Sequence, residues 1–323
     1  MNVPTFVWVG FVAFVLGMLA IDLFLFHRES HAVTTREGAM WVAIWMSMGI
    51  GFTFVIWGWQ GGTAAGEYIA GYLLEYSLSA DNIFVFILIF TYFRVPPAYQ
   101  HRVLFWGILG ALVFRAAFIA AGAALLERFE FMFYVFGAFL VYTGIRMARH
   151  GEVEIHPENN PVLNLVRRIV RMTPDYRGPS FFVREAGKRL ATPLLAVLVV
   201  VETTDIIFAV DSIPAIFGVT QEPFLVFTSN AFAILGLRAL YFLLANLMTR
   251  FRYLQIGLSA ILVFIGIKML IQDWVHIPIW GSLGFIVVAL FIAVILSLRA
   301  ETAEVPLDQP EESDFEEPQE FSG

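Results

Sequence analysis

Nine apolar stretches divide this 323-residue chain, at about 5–26, 40–59, 67–93, 102–125, 130–147, 193–217, 224–246, 253–272 and 281–299. Each is long enough to cross a hydrocarbon core of ~30 Å, which a helix does in about 20 residues. Backbone groups in lipid must satisfy one another, so segments of this kind fold as helices. The expected fold class is therefore an all-α polytopic membrane protein with nine transmembrane helices. Composition agrees, because only 15% of residues are charged against about a quarter in soluble chains.

Basic residues set the orientation, since they collect on the cytoplasmic side. Arg28, Arg36, Arg94, Arg102, Arg250, Arg252, Arg299 and nine bases in a connection at about 148–192 (counted from Arg146) put sixteen on one face, against Arg128 alone on the other. This predicts N-terminus out and C-terminus in. The opening Met1-Asn2-Val3-Pro4 has no basic leader, so the first stretch is expected as an uncleaved span. Within the long connection, 162–172 has a basic, partly amphipathic pattern that fits a short helix lying on an anionic leaflet. A loop that only sets topology is the plainer alternative. The transport domain is expected over 1–299. Residues 300–323 hold nine acids and no base, which predicts a disordered acidic tail. Without that tail the chain has 20 bases against 18 acids, so the net charge of −7 comes from its end.

A repeat is visible inside the apolar region. Asp81-Asn82-Ile83-Phe84 aligns with Asp205-Ile206-Ile207-Phe208, Arg115 with Arg238, and Phe139-Leu140-Val141-Tyr142-Thr143-Gly144-Ile145-Arg146 with Ile261-Leu262-Val263-Phe264-Ile265-Gly266-Ile267-Lys268. Spans 3–5 thus match spans 6–8. They enter the membrane from opposite sides, so the expected arrangement is two inverted three-helix repeats, a design of secondary transporters.

Six carboxylates lie in these stretches: Asp22, Glu75, Asp81, Glu202, Asp205 and Asp211. A charge at bilayer depth is costly unless it meets protein, water or an ion. By position in their spans, Asp81 and Asp205 fall near the centre, Glu75 and Asp211 toward the outside, Glu202 and Asp22 toward the inside. They form a ladder across the membrane. Glu75 and Asp81, like Asp205 and Asp211, are six residues apart, so one regular helix points them in different directions. Pro214 deprives the Val210 carbonyl of its helical partner and suggests unwound backbone beside Asp211. With Asn82 and Asn230 these are oxygen donors, suited to Mg²⁺, Ca²⁺ or Mn²⁺ rather than to zinc or copper. Arg115, Arg238 and Lys268 can pair with some of the acids, and a purely ion-paired scaffold is the rival reading. There is no cysteine and no His-Glu-x-x-His motif, and all six histidines lie in or beside connections. Thiol chemistry and histidine-ligated metal are therefore not expected, nor is an enzyme. Gly49, Gly51, Gly107 and Gly110 read as close-packing positions.

Glu75-Tyr-Ser-Leu-Ser-Ala-Asp81-Asn-Ile-Phe-Val-Phe86 and Val201-Glu202-Thr-Thr-Asp205-Ile-Ile-Phe-Ala-Val-Asp211-Ser-Ile-Pro-Ala-Ile-Phe217 resemble the two signature segments of the TerC family. Ala20-Ile-Asp22-Leu, Thr228-Ser-Asn230 through Arg238, and Phe264-Ile-Gly-Ile-Lys268 extend the likeness over about 10–298, in the Alx branch. The resemblance implies a bacterial inner-membrane exporter of Mn²⁺, with the ion as cargo, no permanent cofactor, and the buried acids as its path. It also links relatives to tellurite resistance, alkaline induction and metal supply to secreted proteins, so secretion-machinery or metalloprotein partners join the lipid bilayer as expectations. Nucleic acid does not, and the oligomeric state stays open. The acidic tail departs from the short, more basic ends of that branch. A Ca²⁺ or Mg²⁺ carrier and a non-transport factor, such as a redox modulator or secretion partner, are the alternatives.

Overall fold

The computed structural model describes residues 3–26, 35–150, 160–185, 187–245 and 253–303, apart from the side chains of 22–26, 35, 150, 298 and 300–303. The acidic tail beyond 303 lies outside the described residues, as do Arg28, Arg250 and Arg252. A helix, or a bent helix pair, falls on each of the nine expected stretches. They are α1 (Thr5–Phe26), α2 (Thr35–Gln60), α3 (Gly62–Tyr92), α4 (Pro97–Arg128), α5 (Met132–His150), α7 (Pro193–Phe217), the pair α8 (Pro223–Leu235) and α9 (Leu237–Leu244), α10 (Leu254–Ile271) and α11 (Ile279–Ala303). Proline stands in the first turn of α4, α7 and α8, where its missing N–H costs nothing and its fixed φ favours the start.

By length and apolar composition, six of the described helices can cross a membrane, and the α8–α9 pair makes a seventh if it counts as one span. The described apolar part of α1 ends at Ile21. α5 carries Arg146 and Arg149 near its end, which dilutes its apolar run. The nine-span count is thus matched in helices, while six or seven pass on length and composition. The α8–α9 stretch is not the straight span that the sequence suggests. It bends by 40° at Gly236, which places Arg238 in the first turn of α9.

α3 sits at the centre. Of its most apolar stretch 61% is buried, against 17% for α2 and for α11. It packs on α8, α7 and α2, while α4 packs on α7 and α8. α5 and α10 form the tightest pair. They run antiparallel, because Gly137 faces Gly266 and Met269 while Gly144 faces Ser259 and Val263. The contacts are reciprocal. A side chain at Gly266 would meet the Gly137 carbonyl and the Val141 backbone, and one at Gly144 would meet the Ser259 carbonyl and the Val263 backbone. Each set becomes the other when the two halves are exchanged in the sequence alignment.

The long connection holds a short helix, α6 (Pro161–Ile169), and a hairpin of β1 (Phe182–Glu185) and β2 (Lys188–Ala191). The hairpin is a small exception to an all-α chain. α6 is not an isolated helix, because it packs on α7. Asn160 caps it by accepting from the Val162 and Leu163 amides and donates to Thr203 Oγ1 at 2.8 Å. At the other end, the Ala191 amide donates to the Arg171 carbonyl. α6 therefore stands antiparallel along the first ten residues of α7, with Leu163 buried against it. Tyr176 ties the same segment to the end of α3, donating to the Phe93 carbonyl at 2.8 Å.

Candidate functional site: a buried arginine between two carboxylates

Arg115 on α4 is 1% exposed, and its guanidinium reaches two of the six acids. Nη1 pairs with Glu75 on α3, which is fully buried. Nη2 donates to Asp205 Oδ1 at 3.1 Å and Nε to Oδ2 at 3.4 Å, while Nη1 also reaches Ser212 Oγ at 3.5 Å. Asp205 and Ser212 are seven residues apart on α7 and share a face, so the arginine lies along that face. Glu75 on α3 and Asp205 on α7 belong to the two stretches that the sequence alignment sets against each other. The guanidinium fork suits this bidentate geometry, which a lysine could not reproduce. One guanidinium serves two carboxylates, so with both ionised the triad is one positive charge short of balance.

The other acids have separate surroundings. Glu202 packs its carboxylate against Gly110 of α4, in the space a Cβ would occupy. Its Oε2 is buried without a hydrogen-bond partner among the described residues, and it lies in electrostatic contact with Asp205. Asp211 is half-buried on α7 and interacts with Arg146 of α5. Asp81 is half-buried and Asn82 buried, both on α3. Asn230 on α8 is 1% exposed, with its Nδ2 unpartnered among the described residues. Arg238 is buried on α9. Lys268 donates to the Gly218 carbonyl at 3.3 Å and feels Glu67, which accepts from Thr220 at 2.6 Å. The side chain of Asp22 lies outside the described residues.

On α7 the six-residue spacing gives Asp205 and Asp211 different neighbours, Arg115 for the one and Arg146 for the other. Among the described residues no three acidic or histidine side chains converge as one metal cage, and the acids are spread along the helices. α7 is not unwound. It runs unbroken through Pro214 to Phe217, and Pro214 leaves the Val210 carbonyl without its helical N–H partner. Glu67 and Arg146 are polar groups that sequence reasoning passed over. Glu67 sits near a span end and Arg146 was counted with the basic connection, although its alignment with Lys268 marked it. A further row escaped notice. Tyr68, Tyr72 and Tyr76 stack along α3, the first donating to the Gly49 carbonyl. The buried hydroxyls of Tyr72, Tyr76 and Ser79 have no partner among the described residues. Their four-residue spacing was the available signal. The close-packing reading holds at Gly49, which meets the Tyr72 ring, and at Gly107 and Gly110, but Gly51 has open space around it.

A multi-pass helical membrane protein with ion pairs buried between its helices is the class that this fold and site define. The chain belongs to the TerC family of integral membrane proteins, whose model matches residues 60–304. It is 51% identical over 292 residues to an uncharacterised membrane protein of Myxococcus xanthus, covering 90% of this chain and 91% of that one. It is 48% identical over 299 residues to Alx of Salmonella typhi and 47% identical to Alx of Escherichia coli K12, each covering 90% of this chain and 93% of the relative. Both Alx proteins are described as candidate membrane-bound redox modulators. No solved structure matches this chain.

Proposed function

We propose that this protein is a secondary transporter of the bacterial inner membrane that exports Mn²⁺, in exchange for protons, by alternating access between two inverted repeats. The observation that carries this reading is the buried Glu75–Arg115–Asp205 triad. It joins the two halves at one point and leaves uncompensated negative charge where a charge is most costly. The reciprocal Gly144 and Gly266 contacts support the two-fold relation between the halves. In the sequence alignment Arg238 is the counterpart of Arg115 and Asp81 that of Asp205. Asp81 and Asp205 serve as the central ligands, with Asn82 and Asn230 as neutral oxygen donors. Glu75, held at the same guanidinium as Asp205, joins the central site, Asp211 lines the outer route, Glu202 and Asp22 the inner one, and Arg115, Arg238 and Lys268 balance charge between steps. The donors are all hard oxygens, which fits Mn²⁺ as cargo.

A redox role, as the Alx descriptions suggest for those relatives, has a specific obstacle here. The chain has no cysteine, so thiol exchange cannot be its own chemistry. Inverted vesicles carrying the protein should accumulate Mn²⁺, with Ca²⁺, Mg²⁺ and Zn²⁺ as competitors. No accumulation above vesicles lacking the protein would end the transport reading, and stronger transport of Ca²⁺ or Mg²⁺ would reassign the cargo.

A further inference from the structure

We propose that Arg115 is a tethered cation that competes with the transported metal for Glu75 and Asp205, so that its return ejects the ion. This rests on the transport reading above. Its first support is that the guanidinium already engages the oxygens a metal would need. Both Asp205 oxygens accept from Arg115, at 3.1 and 3.4 Å, and Glu75 pairs with Nη1. A cation that takes both Asp205 oxygens competes with the guanidinium for them.

Charge gives the second support. Glu75 and Asp205 between them balance one divalent ion, so a guanidinium kept at the same two carboxylates adds positive charge that only the neighbouring Glu202 stands to offset. Metal and arginine therefore compete for the same two carboxylates. Ser212 supplies the third support. Its hydroxyl stands 3.5 Å from Nη1, a neutral acceptor on the same helix face onto which the guanidinium can shift while keeping a hydrogen bond. Because Arg115 is attached to the same chain, its effective concentration at the acids is high. It weakens metal binding and, in the same measure, speeds release.

A purely structural arginine predicts the opposite sign when it is changed. The test is Mn²⁺ affinity, by calorimetry or electron paramagnetic resonance, on purified protein in nanodiscs, together with initial transport rates. Arg115→Gln should bind Mn²⁺ about tenfold more tightly or better while its maximal rate falls. Arg115→Lys keeps the charge, and with it the fold, but cannot bridge two carboxylates, so its affinity should lie between the two. If Arg115→Gln does not purify as a folded protein, Arg115→Lys decides alone. Tighter binding than wild type supports the role, and equal or weaker binding overturns it. Binding in wild type with no tightening in either variant overturns this role and leaves the transport reading standing. No Mn²⁺ binding in wild type or variants removes both.

Discussion

At Asp205 stability and function pull on the same oxygens, and the two can be separated by substitution. Asp205→Asn removes a charge and leaves Arg115 paired with Glu75, one positive against one negative. Removing the arginine instead strands two buried carboxylates, and breaking a buried pair in this way costs about 3–5 kcal/mol. We therefore expect Asp205→Asn to reach the membrane at wild-type levels and lose Mn²⁺ export, whereas Arg115→Ala should melt at a clearly lower temperature. Immunoblots, vesicle uptake and thermal melts in detergent check both. Normal export by Asp205→Asn would show that it is not a ligand. The identities of these residues were legible in the sequence, because a carboxylate inside an apolar run announces itself. Their partners were not. Which acid faces Arg115 depends on how α3, α4 and α7 are rotated against one another, and spacing within one helix does not fix that.

Among elements, the α5–α10 pair shows what patterning alone can and cannot convey. Gly144 and Gly266 stood in the aligned repeat, yet only the antiparallel packing explains why both are glycine. A Cβ at Gly266 would lie 2.6 Å from the Gly137 carbonyl, and one at Gly144 would lie 2.9 Å from that of Ser259. Neither neighbour is a flexible side chain, so the helices must separate. Overpacking of this kind costs about 1–3 kcal/mol or more. Gly144→Leu and Gly266→Leu should lower the melting temperature by similar amounts, while Gly51→Leu, with open space around it, should leave it unchanged. A large asymmetry between the first two would argue against the two-fold relation. Helix limits were readable to within a few residues, since apolar length and proline starts set them. The bend at Gly236, the seat of α6 on α7 and the hairpin at 182–191 were not. The strands are four residues each and mixed with charge, and α6 is held by Asn160 to Thr203, 43 residues away.

For the whole molecule, topology and coupling are the remaining questions, and the first constrains the second. Reporters fused after residues 150 and 299 should both read cytoplasmic, and one near Gly62 external. An external reading at 150 would overturn the orientation and the inverted repeat together. Given that orientation, outward movement of a divalent ion carries positive charge against the membrane potential, about 2.3 kcal/mol per charge at 100 mV. Export thus needs a driving ion moving inward. Carboxylate oxygens bind either a proton or a metal, so Mn²⁺ binding must release whatever protons they hold, and apparent affinity must rise with pH. The triad limits how many protons it takes. Arg115 already balances one of its two carboxylates, so the returning triad needs one proton there rather than two. We expect Mn²⁺ efflux from proteoliposomes to acidify the compartment it leaves and to alkalinise the one it enters by the same number of protons, as read by a trapped pH dye on each side, and to strengthen as pH rises. Mn²⁺ movement with no counter-movement of protons and no dependence of affinity on pH would remove proton coupling. The triad would then remain as the metal's own site, and the driving ion would have to be sought among other cations.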